Sequence, residues 1–343
     1  MDHEAAMRLA LDLGASARTR SSPNPWVGAV VVSTAGEVVG RGATEPAGGA
    51  HAEVIALRGA GELGRGATLV TTLEPCAHVG RTPPCVDALA AAGIAQVVVA
   101  IVDPDPRVAG RGIAALRAAG IGVTVGVMAD DASAQLAAYL QHRRTGRPHV
   151  VCKLAITLDG AIAAADGRSK WITGEAARAD AHRLRAESDA VIVGAGTVRA
   201  DDPRLTVRHV DGRDPLRVVL GAVPATASLR PCLEWRGDPA GLVDDLGRRG
   251  VLQALVEGGA RTVRSFLDAD LIDRFVLYVA PRLMAGGDVV PMVAGPTATS
   301  IDLAWQGRFV GVCQLGEDLR IELVPASRCD DPSTAAFTGR GEE

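Results

Sequence analysis

The spacing of apolar residues alternates along the chain between the period of a helix and the short runs of buried strands. Residues 2–18 carry apolar side chains at helical spacing, and residues 27–32 form a run typical of a strand, with residues 37–39 as its hairpin partner. Later in the first half, the pattern predicts strands at 67–73, 96–102 and 123–127 and helices at 52–60, 86–92, 113–119 and 132–143. Strands that alternate with helices in this way predict a layered α/β domain.

The second half repeats this alternation without repeating the sequence. The pattern predicts helices at 175–187 and 261–267 and strands at 150–158, 190–193, 216–220, 251–256, 275–279 and 319–324, whereas residues 221–240 are predicted to be irregular. Residues 145–148 carry the turn signals of a domain boundary. We therefore predict a first domain at 1–146, a second domain at 147–325 and a disordered, polar tail at 326–343.

Composition narrows the class of protein. A chain of 343 residues suits two domains, and a formal net charge of -4 gives no sign of a nucleic-acid surface. Six cysteines are too few and too scattered for a disulfide framework, which predicts reduced thiols. The acidic start differs from a secretory signal, and no apolar run is long enough to span a bilayer. We expect a soluble cytoplasmic protein that binds neither nucleic acid nor membrane.

His51 and Glu53 combine with Cys76 and Cys85 into the pattern of a hydrolytic zinc site. One imidazole and two thiolates leave the fourth position of tetrahedral Zn²⁺ open for water, whose pKa the metal lowers to about 7. Glu53 would take the proton of this water and return it to a departing amine. Zinc deaminases carry H-x-E followed by P-C-x-x-C, and this chain has the same pattern with a longer C-x8-C spacing.

The spacing of these residues predicts where they lie relative to the starts of the predicted helices. Residues two apart on a helix do not face each other, so His51 should lie at or before the first turn of helix 52–60, with Glu53 just inside it. We expect Cys76 where the strand 67–73 ends and Cys85 at a helix N-terminus, because exposed amides and the helix dipole favour a thiolate there. Cys85 opens the predicted helix 86–92.

Two ordinary alternatives stay open for this pattern. The cysteines could be buried structural residues beside a surface histidine, or the site could be a structural zinc site in which His78 supplies a fourth ligand. The loop between the cysteines contains His78, Arg81 and the rigid pair Pro83-Pro84. Its position between two metal ligands predicts recognition of an anionic or polar substrate, with a merely solvated loop as the alternative.

The second half contains weaker motifs. Residues 194–197 (Gly-Ala-Gly-Thr) follow a strand but lack the third glycine of a dinucleotide fingerprint. Residues 257–259 (Glu-Gly-Gly) precede a predicted helix and are better suited to bring phosphate to a helix N-terminus. A glycine turn used only for packing is an equally good interpretation, and residues 201–203 (Asp-Asp-Pro) could form only a turn and a cap.

Together these motifs resemble the bifunctional deaminase/reductase family of riboflavin biosynthesis. The strongest part of the resemblance is residues 74–85, because ordinary nucleobase deaminases have the short C-x-x-C loop. It continues through Asn24-Pro25, Lys153-Leu154, Leu158-Asp159-Gly160, Ser169, Trp171-Ile172-Thr173, Thr197-Val198, residues 201–208, Glu257-Gly258-Gly259 and Ala280-Pro281. The resemblance covers residues 2–325, and so both predicted domains.

The resemblance implies an α/β fold class in which a cytidine-deaminase-like α/β/α domain is followed by a dihydrofolate-reductase-like α/β domain. The first domain would use Zn²⁺ to deaminate 2,5-diamino-6-(5-phosphoribosylamino)pyrimidin-4-one, and the second would use NADPH to reduce the ribosyl group of the product to ribityl. The partners would be small phosphoribosylaminopyrimidines, and the chain would form a homo-oligomer, either a dimer or a tetramer.

The family's functional positions carry over onto matching residues. The zinc ligands would be His51, Cys76 and Cys85, with Glu53 as the proton shuttle, and the candidate catalytic groups of the reductase would be Lys153, Asp201 and Glu257. Substrate positions match Asn24, His78, Arg81, Ser169, Arg185, Leu205, Arg208 and Glu257. NADPH positions match Ala155, Trp171, Thr197, Asp201, Gly259, Ala260, Arg261 and Thr262.

One departure bears on the cofactor. The family usually has Asp-Ser after a Val-Val-Leu strand, where this chain has Gly221-Ala222, and the stretch from 221 to 243 is shorter than usual. The missing serine is a cofactor-contact position, so a deaminase whose reductase domain has reduced competence stays an alternative. Two further alternatives are a nucleobase deaminase acting on RNA or DNA and a zinc-bearing scaffold whose second domain merely binds a nucleotide.

Overall fold

The computed structural model describes residues 1–80 and 82–326. The chain divides into two compact units, Met1–Thr145 and a second unit that begins at Gly146, and we describe each by itself. Apart from Ala326, the predicted tail at 326–343 lies outside the described residues. None of the described helices combines the length and the apolar character needed to cross a membrane.

The first unit is built on a five-stranded mixed sheet. Its strands are β1 (Gly28–Val32), β2 (Val38–Ala43), β3 (Thr68–Leu73), β4 (Gln96–Ile101) and β5 (Gly122–Val125). Its helices are α1 (His3–Ser21), α2 (Ala52–Ala60), α3 (Cys85–Ala91), α4 (Arg111–Ala118), α5 (Ala129–Gln135) and α6 (Ala137–Thr145), with a 3₁₀ turn at Gly61–Gly64. The strand order is β2-β1-β3-β4-β5. Strand β1 is antiparallel to both neighbours, and β3, β4 and β5 are parallel.

Helices cover both faces of this sheet. On one face, Met7 of α1 and Ala132 of α5 pack against Val30, Val70 and Val98 of the strands. On the other face, α2 lies so close to β2 that the glycines of β2 cannot be replaced by residues with a side chain. A Cβ atom on Gly40 would come 2.1 Å from the carbonyl oxygen of Ala56. Every residue of β1 is buried, as expected for a strand covered on both sides. The predicted α/β/α layering is confirmed.

The predicted helix at 132–143 is wrong as a single element. Helices α5 and α6 are separated at Leu136. The carbonyl of Gln135 there accepts the indole N–H of buried Trp26 at 2.9 Å, and the Gln135 side chain donates to the carbonyl of Leu11 at 2.7 Å. These contacts come from residues more than a hundred positions away, so the local pattern could not predict the break.

The second unit is built on an eight-stranded sheet with a small two-stranded sheet beside it. Its strands are β6 (His149–Thr157), β7 (Ala161–Ala163), β8 (Ala190–Gly194), β9 (Leu216–Leu220), β10 (Leu233–Trp235), β11 (Gln253–Val256), β12 (Arg274–Ala280), β13 (Val290–Pro291), β14 (Gly307–Leu315) and β15 (Asp318–Pro325). Its helices are α7 (Glu175–Ala186), α8 (Ala195–Asp201), α9 (Pro239–Arg248) and α10 (Ala260–Asp268), with a 3₁₀ turn at Ile301–Leu303.

The order of the large sheet is β10-β9-β8-β11-β6-β12-β15-β14, and the sheet is parallel from β10 to β12. Strands β15 and β14 are antiparallel additions at one edge. One face of the sheet packs against α9 and α10 through Leu242 and Phe266, and the other face packs against α7 through Leu184. In a parallel sheet of this kind, ligands bind outside the carboxyl ends of the strands.

Several predictions for the second unit need correction. Residues 221–240, predicted to be irregular, contain β10 and the start of α9. Asp238 caps α9 by accepting the amide of Gly241 at 2.7 Å, and Pro239 occupies its first turn. This Asp-Pro pair is a helix-start signal that the sequence offered.

Four other elements were not predicted, namely α8, β7, β13 and β14. Helix α8 begins at residues that were considered only as a glycine motif. Strand β14 lies at the sheet edge, and most of its residues are exposed. It therefore lacks the alternation of apolar and polar residues that marks a half-buried strand.

The contact between α1 and β1 yields a stability prediction. A Cβ on Gly28 would lie 1.8 Å from the carbonyl oxygen of Ala10 and 2.6 Å from the amide nitrogen of Gly14, so α1 would have to move. We expect Gly28→Ala to destabilise the protein by about 3 kcal/mol or more, because the blocking atoms are backbone. The measurement is chemical denaturation.

Gly59→Ala is the matched control. Its nearest neighbour would be Gly40 Cα at 3.6 Å, an ordinary contact, and its helical position makes the change neutral or slightly stabilising. Equal stability of both variants and the wild type would contradict the close approach of α1 and β1.

Candidate active sites

Three candidate metal ligands converge in the first unit. The ligand atoms of His51, Cys76 and Cys85 all lie within 4.8 Å of one another. Nδ1 of His51 is 3.2 Å from the sulfur of Cys85 and 3.5 Å from that of Cys76. The other ring nitrogen, Nε2, faces the hydroxyl of Thr82 at 3.4 Å. Nδ1 is therefore the nitrogen directed at the two sulfurs.

The start of a helix positions His51, Glu53 and Cys85. His51 is the N-cap of α2, and Glu53 is the second residue of that helix. Cys85 is the first residue of α3. Cys76 follows the end of β3, as the sequence predicts, and lies in a loop. The backbone amide of Cys85 nevertheless points to the sulfur of Cys76 at 3.4 Å, so the N-terminus of α3 serves both thiols.

The two thiols affect each other's pKa in opposite directions, so that Cys76 ionises before Cys85. A hydrogen bond from the Cys85 thiol, with further ones from His51 and the Cys85 amide, lowers the pKa of Cys76 to about 4 although burial opposes the shift. The same contact with Cys76, together with burial, raises the pKa of Cys85. The hydrogen bond to Cys76 also raises the pKa of His51. A divalent cation bound here would release the remaining proton, since only deprotonated ligands coordinate metal.

The donor set fits zinc with one coordination position left over. One imidazole nitrogen and two sulfurs are ligands that Zn²⁺ prefers, and three protein ligands are the number used in catalytic sites. Among residues 1–80 and 82–326, no further His, Cys, Asp or Glu joins this group. His78 lines the same pocket but is not among the clustered ligands, so the described residues do not form the structural four-ligand site that was considered.

Glu53 lies beside the ligands as a buried carboxyl group. It is only 4% exposed, and this burial raises its pKa to about 6 although His51 opposes the shift. A carboxyl group with a pKa close to neutrality is suited to accept and return a proton.

The ligands open into a pocket of about 320 Å³ that also contains Asn24 and His78. Arg81, the third expected substrate contact of this unit, lies outside the described residues. The remaining polar lining was not predicted; it includes Thr82, Asp103, Asp105, Arg107, Tyr139 and Arg143. Residues 103–107 follow β4, which is parallel to β3, the strand that leads to Cys76. That adjacency of two strand ends was the signal that could have found them.

These additional residues form an ordered wall. The hydroxyl of Tyr139 donates to both carboxylate oxygens of Asp103, at 3.0 and 3.2 Å, and burial raises the pKa of Asp103 to about 6. Arg107 donates to Asp105 through two nitrogens, at 3.0 and 2.7 Å, and lowers the pKa of Asp105 to about 2. This wall therefore adds to Glu53 a second carboxyl group with a pKa near neutrality, Asp103, and one that is firmly ionised, Asp105.

A second polar cluster lies in the second unit, around Glu257. This residue follows β11, and its carboxylate accepts two hydrogen bonds from Arg185 of α7, at 2.8 and 2.9 Å. The ammonium nitrogen of Lys153, on the adjacent strand β6, is 3.6 Å away. Burial would raise the pKa of Glu257, but Arg185 and Lys153 outweigh it and lower the pKa to about 2. Glu257 is thus a carboxylate at neutral pH.

The loop after α8 completes this cluster. Arg185 donates its third hydrogen bond to the carbonyl of Thr206 at 2.7 Å, which holds the loop against α7. Leu205 is buried and adopts a left-handed backbone with φ of 54°, and Arg208 is exposed. Three expected substrate residues, Arg185, Arg208 and Glu257, therefore lie in one region with Lys153.

Some of the residues expected to bind NADPH lie next to one another in the structure. Gly259 caps α10, and a Cβ on it would lie 3.6 Å from the hydroxyl of Thr197 in α8, so the two segments are adjacent. Thr262 explains two of the glycines, because a Cβ on Gly258 would lie 2.4 Å from the Cβ of Thr262 and one on Gly194 would lie 2.6 Å from its hydroxyl. Close packing thus accounts for Gly258, which is the alternative interpretation of residues 257–259, and it accounts for Gly194 as well.

The contacts of Asp201 and Trp171, two other residues expected to bind NADPH, do not involve the Glu257 cluster. Asp201 pairs with Lys170 at 3.7 Å. Trp171 is 63% exposed, and the guanidinium of Arg178 lies 4.7 Å from its ring centre. Ser169 and Ala155 are partly exposed, Arg261 is exposed, and Ala260 is buried at the start of α10.

Gly221, the departure from the family pattern, has a conformational reason. It adopts φ of 107°, which L side chains rarely adopt, and a Cβ there would lie 3.1 Å from that of Ala195. Its amide donates to the carbonyl of Trp235 at 2.8 Å, which joins β9 to β10. Glycine is the residue that this turn requires.

Comparison with known families divides the chain in the same way as the geometry. Residues 1–101 match the cytidine and deoxycytidylate deaminase zinc-binding region, and residues 148–321 match the RibD C-terminal domain. The chain is therefore a two-domain enzyme in which a zinc-binding deaminase domain precedes an NADPH-dependent reductase domain.

Full-length relatives identify the family. The chain is 45% identical to riboflavin biosynthesis protein RibD of Mycobacterium tuberculosis H37Rv, over 93% of this chain and 96% of that protein. It is 38% identical to RibD of Escherichia coli K12, over 95% of this chain and 100% of that protein. The chain belongs to the RibD family of riboflavin biosynthesis proteins.

Solved structures agree. The structure of Acinetobacter baumannii RibD has a TM-score of 0.88 at 38% identity, covering 94% of this chain and 99% of that chain. A diaminohydroxyphosphoribosylaminopyrimidine deaminase/5-amino-6-(5-phosphoribosylamino)uracil reductase from Thermotoga maritima has a TM-score of 0.85 at 33% identity, with the same coverage.

The buried pair of Glu257 and Arg185 predicts a large effect of neutralisation. Glu257→Gln would leave Arg185 and Lys153 without their carboxylate, so we expect a loss of about 3–5 kcal/mol in the free energy of unfolding at pH 7. Since the pKa of Glu257 is about 2 when folded and 4.5 in its ordinary range, its contribution is full above pH 4.5 and is lost as the pH falls from 4.5 towards 2.

Denaturation of wild type and variant at pH 7 and pH 3 measures this effect. The difference between the two proteins should shrink at the lower pH. Exposed Glu317→Gln is the control and should behave as the wild type at both pH values. A Glu257→Gln variant as stable as the wild type at pH 7 would contradict the pairing.

Proposed function

We propose that this chain catalyses two successive steps of riboflavin biosynthesis. It deaminates 2,5-diamino-6-(5-phosphoribosylamino)pyrimidin-4-one by hydrolysis and then reduces the ribosyl group of the product to ribityl with NADPH. The observation that carries the proposal is the convergence of His51, Cys76 and Cys85 beside buried Glu53, in a chain whose second unit holds the Glu257 cluster. The family membership supports both halves.

In the deaminase unit, His51, Cys76 and Cys85 hold the zinc ion. Zinc bound there would supply a water molecule whose pKa is lowered to near neutrality. Glu53 accepts the proton of this water and donates it to the amino group leaving the ring, so that water and substrate yield ammonia and a ring carbonyl. Asn24 and His78 orient the pyrimidine from the pocket wall, and Arg81 is assigned to the phosphoribosyl group by its position in the motif.

In the reductase unit, Ser169, Arg185, Leu205, Arg208 and Glu257 bind the substrate. The residues that would bind NADPH are Ala155, Trp171, Thr197, Asp201 and residues 259–262, and the cofactor would supply a hydride for C1′ of the sugar. The low pKa of Glu257 makes it a poor proton donor, and Asp201 is paired with Lys170. We therefore assign protonation of the opened ribose imine to Lys153, whose ammonium group Glu257 orients.

The same proposal includes a cytoplasmic location and assembly into a homo-oligomer of two or four subunits. The pathway's small-molecule substrates and NADPH support the location. A nucleobase deaminase acting on RNA or DNA is the competing activity, and salt-sensitive binding to single-stranded oligonucleotides would favour it.

Glu53→Gln tests the deaminase half. The variant keeps the shape of the side chain but cannot shuttle a proton, so ammonia release should fall about 100- to 10,000-fold. Zinc content, measured by atomic absorption, should stay at one ion per chain because Glu53 is not a ligand. NADPH oxidation with the deaminated intermediate should be unaffected. Loss of zinc together with activity would make Glu53 a structural residue and contradict the assignment.

Supplying each substrate separately tests the reductase half. The wild-type enzyme with the diamino substrate and NADPH should release ammonia and oxidise NADPH in equal amounts. Removing zinc with a chelator should stop ammonia release but leave NADPH oxidation intact when the deaminated intermediate is added directly. Ammonia release without any NADPH oxidation would limit the chain to the deaminase alone, the outcome that the Gly221-Ala222 departure allows.

A further inference from the structure

His182 is a buried histidine of the second unit that matches none of the positions assigned above. It lies on α7 three residues before Arg185, so the two side chains share a face of the helix. It is 9% exposed, yet both of its ring nitrogens face the guanidinium groups of Arg185 and Arg208. Its surroundings identify a role in substrate recognition, which rests on the reductase function proposed above.

The hydrogen bonds of His182 determine which ring nitrogen carries the proton. The backbone amide of Arg208 donates to Nδ1 at 3.2 Å, and Nη1 of Arg185 approaches the same nitrogen at 3.5 Å. Both neighbours are donors only, so Nδ1 is the acceptor. In a neutral ring the proton then lies on Nε2. In the opposite tautomer Nδ1 would carry the proton, and this N–H would face two other donors, the Arg208 amide and Nη1 of Arg185.

The protonated nitrogen has a neighbour to which it cannot bond. Nε2 lies 3.4 Å from Nη2 of Arg208, and in residues 1–80 and 82–326 this is its one recorded contact within hydrogen-bonding distance. Both atoms are donors. Buried polar groups are normally satisfied, so two donors side by side indicate an acceptor that both can share. Because the Arg208 side chain is exposed, that acceptor can arrive from solvent.

The charges nearby favour an anionic acceptor. Arg185 and Arg208 place two positive charges against the ring of His182, and the carboxylate of Glu257 is already bound by Arg185. Asp214 is also engaged, because it pairs with Arg217 and accepts the amide of Val207.

His182 itself contributes no charge. Burial, followed by the positive charges of Arg185 and Arg208, lowers its pKa to about 4, against an opposing effect of Glu257 and with His209 facing it edge-on at 5.2 Å. The ring is therefore a neutral donor at neutral pH.

We propose that His182 is a substrate-binding residue of the reductase, whose Nε2–H and the Arg208 guanidinium together bind an oxygen of the substrate's 5′-phosphate. The histidine discriminates a phosphorylated from an unphosphorylated sugar by a hydrogen bond that does not require its own protonation. The backbone amide of Arg208 sets the orientation of the His182 ring. Arg208 therefore contributes the positive charge and also holds the neutral histidine in place.

Steady-state reduction kinetics of three variants test this role. A hydrogen bond to a charged group contributes enough that His182→Ala should raise KM for the phosphorylated intermediate about 10- to 100-fold, with little change in kcat. His182→Gln can place an amide N–H near the position of Nε2 and should recover most of the affinity, whereas His182→Asn is too short and should not. With the dephosphorylated intermediate, KM should be the same for the wild type and His182→Ala.

Two controls separate this role from a structural one. Zinc content and ammonia release should be unchanged in all three variants, which shows that the first unit is folded, and a kcat of NADPH oxidation close to that of the wild type shows that the second unit is folded. A His182→Ala variant whose KM rises equally for both intermediates would show that His182 only supports the loop at 205–208, and this would overturn the proposal. An unchanged KM for the phosphorylated intermediate would overturn it as well.

A binding titration keeps this inference distinct from the reductase assignment. A wild-type chain that never oxidises NADPH would refute the reductase function, and calorimetric titration with ribose 5-phosphate and with ribose would then decide the matter. Preferential binding of ribose 5-phosphate that is lost in His182→Ala and restored in His182→Gln supports the phosphate site. Equal binding by the wild type and His182→Ala overturns it.

Discussion

The N-terminus of α3 is the constraint on which the deaminase unit depends. Cys85 supplies two groups from this one position, its own thiol and the backbone amide that points to the sulfur of Cys76. Glu74, at the end of β3, accepts the amides of Asp103, Gly110 and Ile113 at 3.2, 2.9 and 3.1 Å. A buried carboxylate with three such bonds holds the ends of β3 and β4 together, and the ligands and the pocket wall are thereby built on a rigid frame.

The second unit relies on a different device, a buried ion pair. Removing Glu257 and Arg185 from water is costly, and their two parallel hydrogen bonds offset that cost only because the geometry is good. Such a pair adds little to stability compared with apolar residues, but it fixes orientation. Arg185 also reaches the carbonyl of Thr206, so one side chain connects α7, the end of β11 and the loop that carries Arg208.

Local sequence signals were sufficient to predict an element where residues at its own ends determine its limits. Helix 52–60 and strand 216–220 were predicted with their observed limits, and His51 was expected at the helix start that it caps. Contacts distant in sequence were beyond such reasoning. The break at Leu136 depends on Trp26, and the acidic wall at 103–105 depends on β4 lying next to β3.

The same limit applies to His182. Its spacing from Arg185 on α7 is visible in the sequence, but the approach of Arg208, which determines its tautomer, is not. The conformation of Gly221 was likewise invisible, since a positive φ at a glycine is set by how β9 joins β10.

That glycine restricts how the cofactor region can be altered. Introducing the family's aspartate at 221 would strain the backbone and crowd Ala195, so the two-residue family pattern cannot be grafted as a unit. Ala222 is the position at which an engineer could start, and matching the family pattern at 221 as well would require remodelling the connection to β10. The backbone of this turn therefore limits which sequences this corner of the reductase can accept.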